Sequence, residues 1–240
     1  MRRTASLCPA LACCFAVACC CVLRAQEPPA PTCAGRIVAA AELARTGVEA
    51  WFGVSALDDA TFARMQGRSY RDGCPVPRGE LRHVRVLHVD FAGAIRTGEL
   101  VCHRSVADDL AGIFRELYEA GYPIERIELV DRYDGDDERS MAANNTSAFN
   151  CRRIAGTTRL SRHALGTAVD INPLYNPCVA VRNGRTVVQP EAGAPYADRS
   201  RPFPGRIDRD DLCYKLFRSR GFAWGGDWHS LKDYQHFEKR

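Results

Sequence analysis

The chain has 240 residues, of which 46% are hydrophobic and 26% are charged. This length suits one well-buried domain or at most two small ones, and the composition excludes a disordered or collagen-like chain. The net charge of +4 is slight and no block of five like charges occurs, so we expect no nucleic-acid partner. After residue 25 no apolar run reaches the length of a membrane span.

Residues 1–25 have the pattern of a secretory signal. Arg2 and Arg3 precede an apolar stretch over residues 7–23, and Ala25 is a small residue at the expected cleavage point. We therefore expect an exported protein of the periplasm or cell envelope. A lipoprotein signal with Cys19 as the lipidated residue is one alternative, and a retained membrane anchor is another, although the run is short for an anchor. Cleavage would lower the net charge from +4 to +1, because three arginines leave with the signal.

Half of the twelve cysteines lie within this signal. The remaining ones are Cys33, Cys74, Cys102, Cys151, Cys178 and Cys213. An even number of cysteines in an exported protein favours disulfides, but the sequence leaves their pairing open, and several are equally compatible with buried thiols. The spacing of a Cys/His zinc finger is absent, which argues against a structural thiolate zinc site.

The N-terminal half alternates between predicted helices and strands. In chain order we predict a linker at 26–32, a helix at 37–52, a short helix at 55–67, strands at 81–91 and 99–102, and a helix at 106–120. Ser55 with Asp58 resembles a capping box for the short helix. Ser105 with Asp108 resembles another one, and Gly121 suits the end of the helix that follows it.

The C-terminal half has shorter predicted elements. They are a strand at 127–130, a polar loop at 134–145, a strand at 168–171, a hairpin at Asn183-Gly184, a helix at 208–220 and a strand at 234–238. The mixture predicts an α+β fold with a small antiparallel sheet flanked by helices. We expect a linker and N-terminal helical extension over residues 26–79 and one domain over residues 80–240.

Two segments contain the residues best suited to chemistry. In the first, His163 and Asp170 are seven residues apart, and Gly166 can turn the chain between them. In the second, His236 is a candidate third ligand and Asp233 precedes it by three residues. Three nitrogen or oxygen ligands with one open position suit a catalytic Zn²⁺, which lowers the pKa of a bound water so that a carboxylate can take its proton. Spacing alone is also compatible with ordinary polar residues at these positions.

Three ordered sequence blocks provide a more specific signal. Ser140-Met141 with residues 144–152 forms the first, residues 160–177 contain the string SxHxxGxAxD, and residues 224–238 contain DxxHF. Together they resemble the zinc D-alanyl-D-alanine carboxypeptidase and L-alanyl-D-glutamate endopeptidase family. This family groups VanY-like enzymes and phage endolysins on a fold shared with hedgehog-type and lysostaphin-like zinc domains. The resemblance covers residues 80–240.

The resemblance implies roles for individual residues. It implies one Zn²⁺ per chain, with His163, Asp170 and His236 as ligands. Asp233 matches the general base of the family. Arg152 is our candidate for the residue that stabilises the oxyanion, with Arg132 and Arg153 as rivals because the upstream spacing differs from that of better-known members.

Four further residues are candidates for supporting roles. Ser161 and Asn172 could hold a ligand through a hydrogen bond, and Ser161 could instead pin its loop. Trp224 and Trp228 could form the wall of a substrate groove, or they could belong to the core.

The expected substrate is a peptidoglycan stem peptide, and the oligomeric state is left open. One alternative function is a non-catalytic zinc-binding module that attaches to the cell wall, against which the presence of Asp233 argues. The other is a structural exported domain held by disulfides, which would retain no metal after dialysis.

Overall fold

A computed structural model of the chain describes residues 34–154 and 156–240. The predicted signal, the linker at 26–32 and Cys33 lie outside the described residues. The helices are α1 (Ala40–Thr46), α2 (Asp59–Met65), α3 (Arg104–Glu119), α4 (Asp137–Ala142) and α5 (Leu212–Ser219). The strands are β1 (Gly53–Ala56), β2 (Leu81–Val89), β3 (Ile95–His103), β4 (Arg126–Ile127), β5 (Asn145–Thr146), β6 (Ala168–Asp170), β7 (Cys178–Arg182), β8 (Arg185–Gln189), β9 (Ala223–Trp224), β10 (Leu231–Asp233) and β11 (His236–Glu238).

The strands form four small sheets, which confirms the predicted α+β class. β1, β2 and β3 form an antiparallel sheet in that order, and β6, β11 and β9 form a second one. A third antiparallel sheet has the order β10, β7, β8. The short strands β4 and β5 are parallel to each other. The small sheet expected from the sequence is thus divided into several separate units.

Helix α3 packs against the first sheet, as its apolar face predicts. Leu110, Ile113 and Phe114 are almost completely buried and lie in one cluster with Val84 and Leu100 of the sheet. The same cluster includes side chains of β6, β11 and α5, so one core supports both the first sheet and the sheet of β6, β11 and β9.

Several predicted boundaries in the N-terminal half are wrong. The helix expected over residues 37–52 is reduced to α1, because Gly47 leaves the helical conformation with a φ of 73° and a ψ of 154°. Ser55 lies in β1 and does not cap a helix, whereas Asp58 accepts a hydrogen bond from the Thr61 amide and begins α2. The N-cap of α3 is His103, whose ring accepts a hydrogen bond from the Ser105 amide.

The residues before position 80 pack against the rest of the described chain. β1 pairs with β2, and Trp51 packs against Leu87 of that strand. A second apolar cluster joins Met65 and Leu57 to residues of later segments, including Val101 and Phe149.

In the C-terminal half, the predicted loop at 134–145 is wrong and the predicted hairpin at Asn183-Gly184 is confirmed. The polar loop expected at 134–145 contains α4, whose N-cap Asp136 accepts a hydrogen bond from the Arg139 amide through its carboxylate. The hairpin at Asn183-Gly184 joins β7 to β8, and both turn residues have positive φ. No helix among the described residues is long and apolar enough to cross a membrane. The five cysteines in the described part of the chain are free thiols.

Candidate metal centre

A tight turn and two paired strands bring the three candidate ligands together. His163 begins a 3₁₀ turn that ends at Gly166, where a φ of 69° reverses the chain into β6. Asp170 is the last residue of β6, and its register partner on the antiparallel strand β11 is His236. Direct cross-strand partners lie on the same face of a sheet, so the Asp170 and His236 side chains project together.

The three side chains are buried and their polar atoms converge. His163 Nε2 lies 3.2 Å from His236 Nδ1 and 3.2 Å from Asp170 Oδ2, and His236 Nδ1 lies 3.0 Å from Asp170 Oδ1. Two ligands about 2.0–2.1 Å from a tetrahedral zinc are themselves about 3.3 Å apart. The chemistry and the spacing of this donor set therefore fit Zn²⁺, as two imidazoles and a carboxylate do in catalytic zinc sites.

The second nitrogen of each ring has its own partner. His163 Nδ1 is 2.5 Å from the carbonyl oxygen of Ala148, which can only accept, so Nδ1 carries the proton and Nε2 presents a lone pair. His236 Nε2 is 3.3 Å from the Glu238 carboxylate, so with a metal at Nδ1 the ring would keep its proton on Nε2. Such outer hydrogen bonds are typical of histidines that ligate metals, because they fix the tautomer and the ring orientation.

Close contacts shift the pKa values within this cluster. Burial opposes ionisation of Asp170, but the adjacent His163 and His236 lower its pKa well below the usual value. Burial lowers the pKa of His236, and the hydrogen bonds with Asp170 and Glu238 outweigh this effect and raise it to about 10. The cluster thus holds negative charge on Asp170, which suits a cation bound at this position.

Asp233 lies at the end of β10, close to the three candidate ligands. Burial raises the pKa of its carboxyl to about 6, and the nearby Asp170 charge acts in the same direction. Its Oδ1 atom is buried and has no hydrogen-bond partner among the described residues. A carboxyl group with a pKa near neutrality and a free oxygen can both accept and return a proton.

A glycine turn packs directly against Asp233. Gly225 begins a 3₁₀ turn, and a Cβ atom placed on it would lie 2.6 Å from the Asp233 carbonyl oxygen. The close approach therefore requires glycine at this position. The register partner of Asp233 on β7 is Cys178.

The structure pairs Arg152 with an acidic side chain. Its guanidinium forms an ion pair with Asp137, and it has no recorded contact with the three ligands or with Asp233. The two alternative candidates also have other partners. Arg132 forms an ion pair with Glu128, and Arg153 donates a hydrogen bond to the Thr158 carbonyl. The oxyanion role of Arg152 stays a prediction.

Ser161 and Asn172 hold the backbone around the ligands. Of the two roles considered for Ser161, the structure shows the pinning of the loop, because its hydroxyl accepts a hydrogen bond from the His163 amide. The expectation that Asn172 holds a ligand side chain is wrong. Its amide group bonds to the backbone of Pro123 and Glu125, and this fixes the chain where it leaves β6.

The two tryptophans differ in their surroundings. Trp224 belongs to the main core, and its indole nitrogen donates to the Tyr234 carbonyl, so of the two settings considered for it the structure shows the core. Trp228 is partly exposed and its ring centre lies 5.3 Å from that of His236. Of the two, Trp228 therefore flanks the candidate metal centre.

Three contributors to the site were not identified from the sequence. Glu238 lies two residues after His236, a spacing that places both side chains on one face of a strand and could have pointed to it. The Ala148 carbonyl is a backbone group, and residue type contains no signal for it. Cys178 reaches Asp233 only through the pairing of β7 with β10.

Residues 155–239 match the family model described as D-alanyl-D-alanine carboxypeptidase. The matched segment contains His163, Asp170, Asp233 and His236. The match confirms the family resemblance inferred from the sequence blocks and supports a peptidase as the class of the protein. No solved structure shows a significant match to the chain.

Proposed function

We propose, from this family match, that the protein is an exported zinc metallopeptidase that hydrolyses peptide bonds of peptidoglycan stem peptides. His163, Asp170 and His236 would hold one Zn²⁺. The observation that carries the proposal is the convergence of their ligand atoms to separations of 3.0–3.2 Å in a buried cluster. When bound, the metal would supply Lewis-acid polarisation of the substrate carbonyl and a lowered pKa for water.

The chain's own residues support the proton transfers of such a hydrolysis. Asp233 in its carboxylate form would take the proton of the attacking water at its free Oδ1 and return it to the departing amine. The bond formed is between the water oxygen and the carbonyl carbon, the bond broken is the peptide C–N bond, and no covalent link to the protein is needed.

The substrate and the location follow from two further observations. The family description names a D-alanyl-D-alanine carboxypeptidase, so a D-residue at or near the cut is proposed. The signal pattern of residues 1–25 would place the enzyme in the periplasm or cell envelope, where peptidoglycan is found. Trp228 would form one wall of the substrate groove, because its partly exposed ring lies beside His236.

The first experiment is elemental analysis of the purified protein and of two variants. We expect one zinc per chain in the wild type, almost none in His163→Ala, and one in His229→Ala, which removes an exposed histidine outside the ligand set. Absence of zinc from folded wild-type protein supplied with zinc would contradict the metal assignment.

The second experiment separates the base from the metal. Asp233→Asn should keep its zinc and lose about 10²- to 10⁴-fold in hydrolysis of muropeptides, because asparagine cannot accept the proton. Mass analysis of the products distinguishes release of a terminal D-alanine from cleavage within the stem. A zinc-loaded Asp233→Asn variant with wild-type activity would remove Asp233 from the mechanism.

A further inference from the structure

Two cysteines from distant parts of the chain lie side by side. Cys74 is in the loop after α2, and Cys151 follows β5. Arg71 connects the two residues, because its carbonyl accepts from the Cys74 amide at 3.1 Å and its guanidinium donates to the Cys151 carbonyl. Both belong to the apolar cluster around Met65 and Phe149, in which Cys151 is buried and Cys74 is partly exposed.

The backbone holds these two segments together without a covalent bond. The Cys151 amide donates to the Ser69 carbonyl at 2.8 Å. Arg71 donates through one Nη atom to the Cys151 carbonyl at 3.3 Å and through the other to the Gly135 carbonyl at 3.2 Å. Docking of the two segments reduces the backbone movement that a disulfide between them would need.

The other described cysteines are placed differently. Cys102 and Cys213 are completely shielded from solvent within the main core, and Cys178 is paired with Asp233 across β7 and β10. A thiol must be reached by an oxidant before it can react, and Cys74 is partly exposed. The pair of Cys74 and Cys151 thus combines a shared apolar cluster with access from solvent at Cys74.

We propose that Cys74 and Cys151 are a disulfide-forming pair whose oxidant is a small-molecule or protein disulfide. The Cys74 thiol loses its proton and attacks the reagent disulfide, which releases one reagent thiol and leaves a mixed disulfide on Cys74. The Cys151 thiol then loses its proton, attacks the Cys74 sulfur and releases the second reagent thiol. The two protein thiols are oxidised by two electrons, and the reagent disulfide is reduced to two thiols that take up the two protons.

The crosslink would restrain the segment that orients His163. Ala148 accepts the hydrogen bond from His163 Nδ1, and the Asn150 amide donates to the His163 carbonyl at 3.2 Å. Cys151 is the next residue, so a bond from it to Cys74 ties this segment to the loop after α2. The disulfide is thus a covalent support for the orientation of one candidate metal ligand.

Peptide mapping of the full chain tests the pairing directly. The protein is incubated with glutathione disulfide, its free thiols are alkylated, and it is digested with trypsin without reduction. Peptides 72–78 and 140–152 each contain one cysteine, and we expect them to be recovered as one crosslinked species that separates on reduction. The Cys33→Ser variant should give the same species, because Cys33 is not part of the pair.

Two results would overturn the pairing. One is recovery of both peptides in alkylated form after oxidation, and the other is a crosslink of peptide 72–78 to the peptide that contains Cys33. As an independent readout, the oxidised wild type should unfold at a Tm roughly 5–10 °C above that of the reduced protein, because the bond closes a long loop. Cys74→Ser should show no such difference between oxidising and reducing conditions.

Discussion

The candidate ligand His236 has one ring nitrogen directed at the ligand cluster and the other held by Glu238. Glu238 is buried, and its Oε2 atom is 3.3 Å from His236 Nε2. The hydrogen bond lowers the pKa of Glu238, so the carboxylate stays ionised and acts as an acceptor. A change at Glu238 should therefore alter metal binding even though Glu238 is not among the candidate ligands.

We predict that Glu238→Gln weakens zinc binding by about 10- to 100-fold. The neutral amide accepts the imidazole proton less strongly and can orient the ring incorrectly. Zinc affinity, measured by competition with a chelator of known affinity, checks this. Glu119→Gln, at the exposed end of α3, is the matched control and should keep wild-type affinity. Equal affinities in the two variants would show that Glu238 does not support His236.

A second residue-scale prediction concerns His88, a buried histidine of β2 whose Nδ1 is 2.7 Å from the Ile124 carbonyl. Burial lowers its pKa to about 4 from the usual 6.5. As the pH falls below the pKa that His88 has in the unfolded chain, the unfolded chain binds a proton at this ring and the folded chain does not. Protonation therefore favours the unfolded chain, and the free energy of unfolding is higher at neutral pH and decreases as the pH falls toward 4.

We expect the free energy of unfolding of the wild type to decrease by about 2 kcal/mol because of His88 as the pH falls from about 7.5 to about 5. His88→Gln cannot take up the proton, so it should lack this part of the pH dependence, whatever its stability at neutral pH. Urea unfolding of both proteins at the two pH values measures the difference. Identical losses in the two proteins would show that His88 does not contribute to acid sensitivity.

At the scale of elements, the turn between His163 and Asp170 was identifiable from sequence because its glycine is required. Gly166 has a φ of 69°, and an added Cβ would lie 2.6 Å from the His103 amide nitrogen. Gly184, in the exposed hairpin of β7 and β8, has a similar φ of 73° but no atom within 4 Å of such a Cβ. An added side chain would meet backbone strain at both positions but a steric collision only at Gly166, so a comparison of the two positions distinguishes the two effects.

We predict that Gly184→Ala destabilises the protein by about 1 kcal/mol through strain alone. Gly166→Ala should cost about 1–3 kcal/mol more, because the backbone of His103 must move. Denaturant unfolding of both variants without metal gives the comparison. Equal destabilisation would mean that the turn has room to relax and that its close contact with β3 does not matter.

The elements that sequence patterns failed to predict share a physical cause. α4 was predicted as a loop because its residues are polar, and its start depends on one Asp136 cap. The helix expected over 37–52 has suitable apolar spacing, but it ends at Gly47 and the next residues turn toward β1. Periodicity identified the long, amphipathic α3 correctly, whereas short elements depend on caps and contacts that periodicity does not contain.

At the scale of the whole molecule, the candidate centre depends on contacts between distant segments. The turn of His163, the strand pair of β6 and β11, and the Ala148 carbonyl meet at one place. Motif spacing could predict the donor residues, because they lie in two ordered blocks of sequence. It could not predict that Trp224 is part of the core, since the same aromatic residue suits a groove or an interior.

Metal binding should for this reason stabilise the whole fold. A ligand that binds only the folded state adds about 2.7 kcal/mol when its free concentration is a hundred times Kd. For a chain of this size we therefore expect chelation to lower the Tm of the zinc-loaded wild type by roughly 5–10 °C. The measurement is thermal unfolding with saturating zinc and then with excess chelator.

The variant His163→Ala distinguishes specific stabilisation from a general effect of the chelator. It should unfold at one Tm in both conditions, because the remaining Asp170 and His236 bind zinc too weakly to add measurable stability. Glu119→Gln should respond like the wild type. An unchanged Tm of the wild type under saturating zinc would contradict the metal centre, whereas an equal shift in His163→Ala would place the bound zinc elsewhere on the molecule.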